Sequence, residues 1–430
     1  MKEQANTTTS AALPDYLKTR YKGKDLQSSL RVLKLLDKHG NMSQKDVAQK
    51  CNATQPFAAM HLKRLRYEGL IKRASRRLPE GGGRPYATWQ IDAEVNLFLG
   101  MVWYGPEFIM CLADYNGKSK IYERRDVQDV KSQGEVLEII DAYVQKAMNY
   151  ASTTQKHVRF AYVGMPGHMD ADTGRLLKCV NAPVLVGLDF ERHLAERYGL
   201  DCMVHAQFGH WFGESQLWPG ETVTVINWDQ GISLMTGCDG QVFFYNDKPG
   251  KRYRGVWDMA HIVVEKDGKQ CRCGKRGCLE AYVGGGAICD RLNRKDLPNA
   301  DALMKAAMQG DPEVIAALND AAECLGKHLG FYLQFIGTDR LIITGVLSRV
   351  FDKFAPHLRK GLATLLNDDY IDAIGPSASV DPDGLMAAGT AEMAKRMFFD
   401  RNYFLKMRKE SSRFFAQQTD EEPLPMVMTK

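Results

Sequence analysis

Apolar residues recur at helical spacing from Leu26 through Leu30, Leu33 and Leu36, and the run stops at His39-Gly40-Asn41. This pattern predicts a first helix ended by glycine. Ser43 is placed to cap a short second helix, with Asp46 three residues on where it can bond back to the first turn. Thr54 caps a third helix, in which Pro56 falls in the tolerant first turn and Ala58, Leu62 and Leu65 share one apolar face before Gly69. The segments 70–74 and 86–91 then read as two strands around the turn Gly81-Gly82-Gly83-Arg84-Pro85. Three helices and a hairpin predict a winged helix-turn-helix over residues 24–92, preceded by a polar arm at 1–23.

From about Val95 the texture changes to short apolar runs separated by helical stretches. Residues 96–103, 107–114 and 119–123 predict a three-strand meander, followed by a helix over 134–152 and a buried strand from Val158 that ends in Gly164-Met165-Pro166-Gly167. The same style restarts near Thr222 with a second meander (222–228, 231–236, 241–245), then helices and the strand 341–345. Two similar α/β lobes over 93–395 are expected. A tail at 396–430, rich in aromatic and charged residues, is expected to be helical, the alternative being a disordered extension, above all after Ser412.

The chain has 430 residues, 44% of them hydrophobic and 25% charged, which are the proportions of a folded multidomain protein. No apolar run reaches the roughly 20 residues of a membrane span, and the start of the chain lacks a secretory pattern, so a cytoplasmic protein is expected. The net charge of +5 is unevenly spread, because residues 1–95 carry 18 Lys/Arg against 9 Asp/Glu and the remainder is net negative. A basic N-terminal region of this fold points to double-stranded DNA. The third helix would enter the major groove with Gln55, His61, Lys63 and Arg64, and the wing would set Arg73, Arg76, Arg77 and Arg84 against phosphates or the minor groove. With few bidentate donors on that helix, phosphate contacts and wing insertion are expected to carry much of the affinity.

Three of the ten cysteines crowd into eight residues, Cys271, Cys273 and Cys278, with His261 ten residues upstream and glycines between them. This is a donor set for one tetrahedral zinc. A closed Cys₃His shell has no open position, so such a zinc would fold its loop (261–280) rather than activate water.

At this motif the chain resembles the ROK family of repressors, open reading frames and sugar kinases. The resemblance rests on the cysteine motif, the Gly-Gly-Arg-Pro wing, Gly164-Met165-Pro166-Gly167, and the late segment Asp381-Pro382-Asp383-Gly384 through Ala391. It implies a core of two α/β lobes with the actin-like ATPase (ribonuclease H-like) fold. The kinase residues of the family are altered, however. Val102-Trp103-Tyr104-Gly105-Pro106 stands where the family has an Asp-x-Gly-Gly-Thr phosphate loop, Asp229-Gln230-Gly231 where it has Gly-Thr-Gly, and Gly345-Val346 where it has Gly-Gly. The Asn-Asp pair holding the general base aligns with His205-Ala206, and alanine cannot accept a proton. No ATP binding and no enzymatic activity are therefore expected.

Sugar contacts of the family align with Asn181, with Asp258 and His261 in Asp258-Met259-Ala260-His261, and with Glu280. His205, and His210 beside it, are candidates for an acidic or phosphorylated sugar. The resemblance thus implies a homodimeric or larger DNA-binding transcriptional regulator, a repressor of carbohydrate-related genes, controlled by a sugar or sugar derivative. The competing readings are a sugar kinase that keeps its DNA-binding domain and a regulator whose core recruits a protein.

Overall fold

The computed structural model describes residues 24–74, 86–169, 175–179, 182–238, 241–242 and 256–399. The chain forms two compact units, one comprising residues 1–207 and 390–430 and the other residues 208–389.

The first unit opens with three helices, α1 (Lys24–His39), α2 (Gln44–Lys50) and α3 (Gln55–Tyr67). Their boundaries follow from local chemistry. The Ser43 side chain accepts from the Asp46 N–H and Asp46 accepts from the Ser43 N–H, a reciprocal cap on α2. Thr54 accepts from the Phe57 N–H at 3.4 Å to start α3, and Gly69 leaves the helix with a positive φ of 68°. Leu33, Leu36, Val47, Ala58, Leu62 and Leu65 are buried between the helices. A small antiparallel sheet, ordered β1-β3-β2, completes the winged helix-turn-helix: β1 (Met42–Ser43), β2 (Ile71–Arg73) and β3 (Thr88–Ile91). The wing tip, with Arg76, Arg77 and Arg84, lies outside the described residues.

The same unit continues into a five-stranded sheet ordered β10-β7-β4-β5-β6. The meander β4 (Asn96–Tyr104), β5 (Glu107–Asp114) and β6 (Ser119–Asp126) is antiparallel, and β7 (His157–Met165) and β10 (Cys202–Ala206) add in parallel. A parallel addition needs a crossover, which α4 (Gln133–Thr153) supplies by burying Val136, Ile139, Ile140, Tyr143 and Val144. The short pair β8 (His168–Met169) and β9 (Leu176–Lys178) and the helix α5 (Phe190–Tyr198) fill the run between β7 and β10.

The second unit repeats this plan in a sheet ordered β13-β12-β11-β14-β15, formed by β11 (Thr222–Trp228), β12 (Ile232–Cys238), β13 (Gln241–Val242), β14 (Arg340–Thr344) and β15 (Ser377–Ala378). β11 is antiparallel to β12 and parallel to β14, as β4 is to its neighbours. Its helices are α6 (Gly209–Ser215), α7 (Glu280–Val283), α8 (Gly285–Leu292), α9 (Ala300–Met308), α10 (Pro312–Ile336), α11 (Phe351–Leu362) and α12 (Asp368–Ile374). A last helix, α13, runs over 382–399. In the first unit its backbone lies so close to β4 that a Cβ on Gly100 would meet the Ala391 nitrogen at 2.4 Å.

The winged helix and the first lobe lie in one compact unit, with Asn96 Nδ2 donating to the Leu70 carbonyl and Arg159 Nη2 to the Glu68 carbonyl. The tail expected from 396 is helical through residue 399, and 400–430 lie outside the described residues.

Candidate functional site

α3 buries one side and presents another. Ala58, His61, Leu62 and Leu65 are buried, while Gln55, Met60, Lys63, Arg66 and Tyr67 are exposed on the opposite side. His61, expected to contact DNA, is fully buried. Its Nδ1 shares a 2.8 Å hydrogen bond with the Ser29 hydroxyl and its ring packs 4.3 Å from that of Phe57, so it is a core residue of the domain. Arg64 is half-buried, and Arg66, which the sequence reading left unassigned, is exposed. On β2, Arg73 is exposed with its guanidinium 5.3 Å from the centre of the Trp89 ring.

In the second unit the four predicted metal ligands converge. The ligand atoms of His261, Cys271, Cys273 and Cys278 all lie within 4.8 Å of one another. Cys271 Sγ is 3.7 Å from His261 Nδ1, and Cys273 Sγ is 3.7 Å from Cys278 Sγ. Zn–S bonds of about 2.3 Å directed to tetrahedral corners place their sulfurs roughly 3.8 Å apart, so the donors fit a tetrahedral metal. Backbone bonds hold this loop: Cys271 N–H to Lys275 O at 2.8 Å, Gly277 N–H to Lys269 O at 2.7 Å, and Val264 N–H to Gly277 O at 2.8 Å. Gly277 has φ +76°, and a Cβ there would meet the Glu265 carbonyl oxygen at 1.7 Å, which is why only glycine fits. Burial pushes the Cys271 and Cys278 thiols above their ordinary range, and a bound cation would reverse that by taking the thiolates.

Near this loop, Glu280 Oε2 accepts from the Ile232 N–H at 3.2 Å, and burial lowers the His261 pKa with the Glu280 charge offsetting only part of that. The Asp229-Gln230-Gly231 turn beside it is closed on itself. Asp229 N–H donates to Gly231 O at 2.9 Å, Gly285 and Gly286 N–H groups take the Asp229 and Gln230 carbonyls at 2.9 and 2.8 Å, and Gln230 Oε1 accepts the Ala300 N–H at the start of α9 at 2.9 Å. A Cβ on Gly231 would meet Glu280 Oε2 at 2.4 Å. Gly345, with φ +86°, is pressed against the Asn227 side chain and the Trp228 carbonyl.

In the first unit, Tyr104 pairs with Glu107 so that Gly105-Pro106 makes a two-residue turn. Trp103 is buried against Phe108, and its carbonyl accepts from the Gln207 amide. His205 is buried on β10 beside Gly164. Asn181 lies outside the described residues, and Asp258 falls in the 3₁₀ turn Val256–His261 with its side chain undescribed. His210, a second candidate for an anionic ligand, is buried on α6, and burial lowers its pKa to about 4. A neutral imidazole offers no charge to an anion, so that expectation is withdrawn for His210.

The model of the ROK family matches residues 105–396, and a winged helix-turn-helix DNA-binding model matches residues 26–72. The chain belongs to the ROK family. Among its ROK relatives is the DNA-binding transcriptional dual regulator NagC of Escherichia coli K12, 22% identical over 356 residues that cover 78% of this chain and 84% of NagC. A glucokinase of Thermotoga maritima is 24% identical over a shorter span, 53% of this chain and 77% of the kinase. The crystal structure of a ROK family transcriptional regulator, a homologue of the E. coli MLC protein, superposes with a TM-score of 0.65 at 18% identity, covering 90% of this chain and 99% of that one. This ROK protein is a DNA-binding transcriptional regulator: a winged helix-turn-helix precedes an actin-like ROK core, the arrangement found in the repressor relatives.

Proposed function

We propose that this ROK regulator represses carbohydrate-related genes in the cytoplasm as a homodimer on a two-fold operator, with a sugar or sugar derivative as effector and without phosphate transfer. The domains would be the arm 1–23, the DNA-binding domain 24–92, the ROK core 93–395 and the tail 396–430. The exposed Gln55 and Lys63 and the half-buried Arg64, with Arg73, Arg76, Arg77 and Arg84 of the wing, would contact DNA. His261, Cys271, Cys273 and Cys278 would hold a structural zinc, whose chemistry is to fix the loop carrying Glu280. Asn181, His205, Asp258, His261 and Glu280 would line the effector site.

The observation that carries the non-enzymatic part is the closed Asp229-Gln230-Gly231 turn. A phosphate-binding turn presents free N–H groups to the anion. Here Gln230 Oε1 occupies the amide at the start of α9, the Gln230 N–H donates to the Asp229 carboxylate at 2.8 Å, and that carboxylate would repel a nucleotide. Ala206 at the general-base position supports the same reading, as do the repressor names among the relatives.

Selection of genomic fragments by the purified zinc-loaded protein tests it, with an Arg64→Ala, Arg84→Ala double variant as control. Enrichment of a two-fold site beside carbohydrate genes, lost in the variant and relieved by one sugar, is the expected result. Phosphorylation of any sugar by the protein, abolished by changing His205, would instead establish a kinase that keeps its DNA-binding domain. Sequence-independent binding would overturn the operator reading.

A further inference from the structure

Arg159 stands near the start of β7 and Asn96 begins β4, and both are buried, 8% and 2% exposed. Arg159 Nε donates to Asn96 Oδ1 at 2.5 Å, and its Nη2 donates to the Glu68 carbonyl at 2.7 Å. Glu68 is the C-cap of the recognition helix α3. A helix end leaves carbonyls without intrahelical partners and carries negative dipole charge, and a guanidinium answers both. Asn96 Nδ2 in turn faces the carbonyls of Asp92, Gly69 and Leu70 at 2.6, 3.2 and 3.4 Å. One arginine and one asparagine of the first lobe thus bind the chain on both sides of the turn that leaves α3.

The approach is close because Gly69 has no side chain: a Cβ there would lie 3.3 Å from Arg159 Nη2. Beside these ties the helix end and the lobe are separated by an open cavity of about 700 Å³, bounded by Tyr67, Lys156, His157 and Asp201. Over this stretch the Arg159 and Asn96 hydrogen bonds tie the helix end to the lobe. A second tie lies elsewhere on the domain, where the Tyr115 hydroxyl donates to Asp37 Oδ1 at 2.8 Å near the end of α1.

We propose that Arg159, together with Asn96, is a positioning residue for DNA recognition, fixing the angle of α3 to the first lobe so that a dimer accepts half-sites at one spacing only. The guanidinium does not touch DNA and acts through the helix end. The proposal rests on the two-fold operator reading above.

The test measures affinity for a set of operators whose half-site spacing differs by one or two base pairs, and for a single half-site, with the full-length protein. Wild type is expected to favour one spacing by about tenfold or more, because half-site separation is set by protein geometry. In Arg159→Met that preference falls to about threefold or less, while half-site affinity and zinc content stay near wild type. A merely structural role would weaken every operator alike and leave the ratio unchanged, and that outcome overturns the proposal. Arg159→Lys, which keeps the charge but reaches one acceptor, is expected to be intermediate and carries the test if the methionine variant does not fold. A wild type that binds but ignores spacing would overturn the two-fold reading and the proposal together, whereas a selective wild type with equally selective variants overturns the proposal alone.

Discussion

Replacing Glu214 by glutamine should change how stability depends on pH, in a direction set by two buried groups four residues apart on α6. Glu214 is 2% exposed with no hydrogen-bond partner at Oε1, and burial, reinforced by the Asp381 charge, pushes its pKa from 4.5 up to about 7. Its folded pKa lies above the unfolded one, so its contribution is fully present below pH 4.5 and is lost as pH rises to 7. A shift of this size corresponds to about 3 kcal/mol. His210 does the reverse: burial lowers its pKa from 6.5 to about 4, so its contribution is present above pH 6.5 and is lost as pH falls to 4. Between those limits the two slopes nearly cancel in the wild type.

Glu214→Gln removes one of them. At pH 8 the variant should be more stable by about 3 kcal/mol, which for a unit of this size raises Tm by roughly 6–12 °C. At pH 5 the advantage should fall below about 1 kcal/mol, because the wild-type acid is then mostly protonated in the folded state. Thermal melts of both proteins in matched buffers from pH 5 to pH 8 read the difference, and the metal loop, common to both, cancels. A Tm difference that does not vary with pH would refute the reasoning.

Other outcomes follow from the same coordinates. Gly277→Ala should abolish tight metal binding, since its Cβ cannot coexist with the Glu265 carbonyl, and zinc per chain measured by atomic spectroscopy should drop well below the wild-type value. Chelation of the wild-type protein should lower Tm, as expected of a metal that folds its loop. ATP should leave Tm unchanged at millimolar concentration, and a saturable shift would contradict the closed turn at Gln230. Lys63→Ala and Arg66→Ala should each reduce the salt dependence of DNA binding by about one counterion, whereas His61→Ala should destabilise the winged helix and leave that slope alone.

The caps of α2 and α3 were legible because Ser43 and Asp46, or Thr54 and Phe57, are neighbours in the chain and their geometry is local. The metal ligands were legible for a similar reason, with three thiols inside eight residues. His61 was misassigned on residue type, although its spacing from Ala58 and Leu65 places it on the buried face. Arg66 carries the opposite signal, three residues after Lys63 on the exposed side. Nothing in a linear reading pairs Arg159 with Glu68, or Gln230 with Ala300, because these contacts join residues far apart in sequence through the packing of whole elements. Sequence comparison could show that the Asp229-Gln230-Gly231 turn departs from the family's pattern, but only the fold shows the Asp229 and Gln230 amides already bonded within it.

The winged helix has a further consequence for the order in which the protein is made. Its helices are capped by neighbours, its hairpin closes nearby, and such short-range contacts form quickly. Arg159 is synthesised roughly 3–13 s after residue 92 at ordinary elongation rates of about 5–20 residues per second. On the proposed role of Arg159, a nascent chain would complete its winged helix before the anchor that orients it exists, and every new copy would pass through an interval in which it could meet DNA but not yet measure the distance between two half-sites.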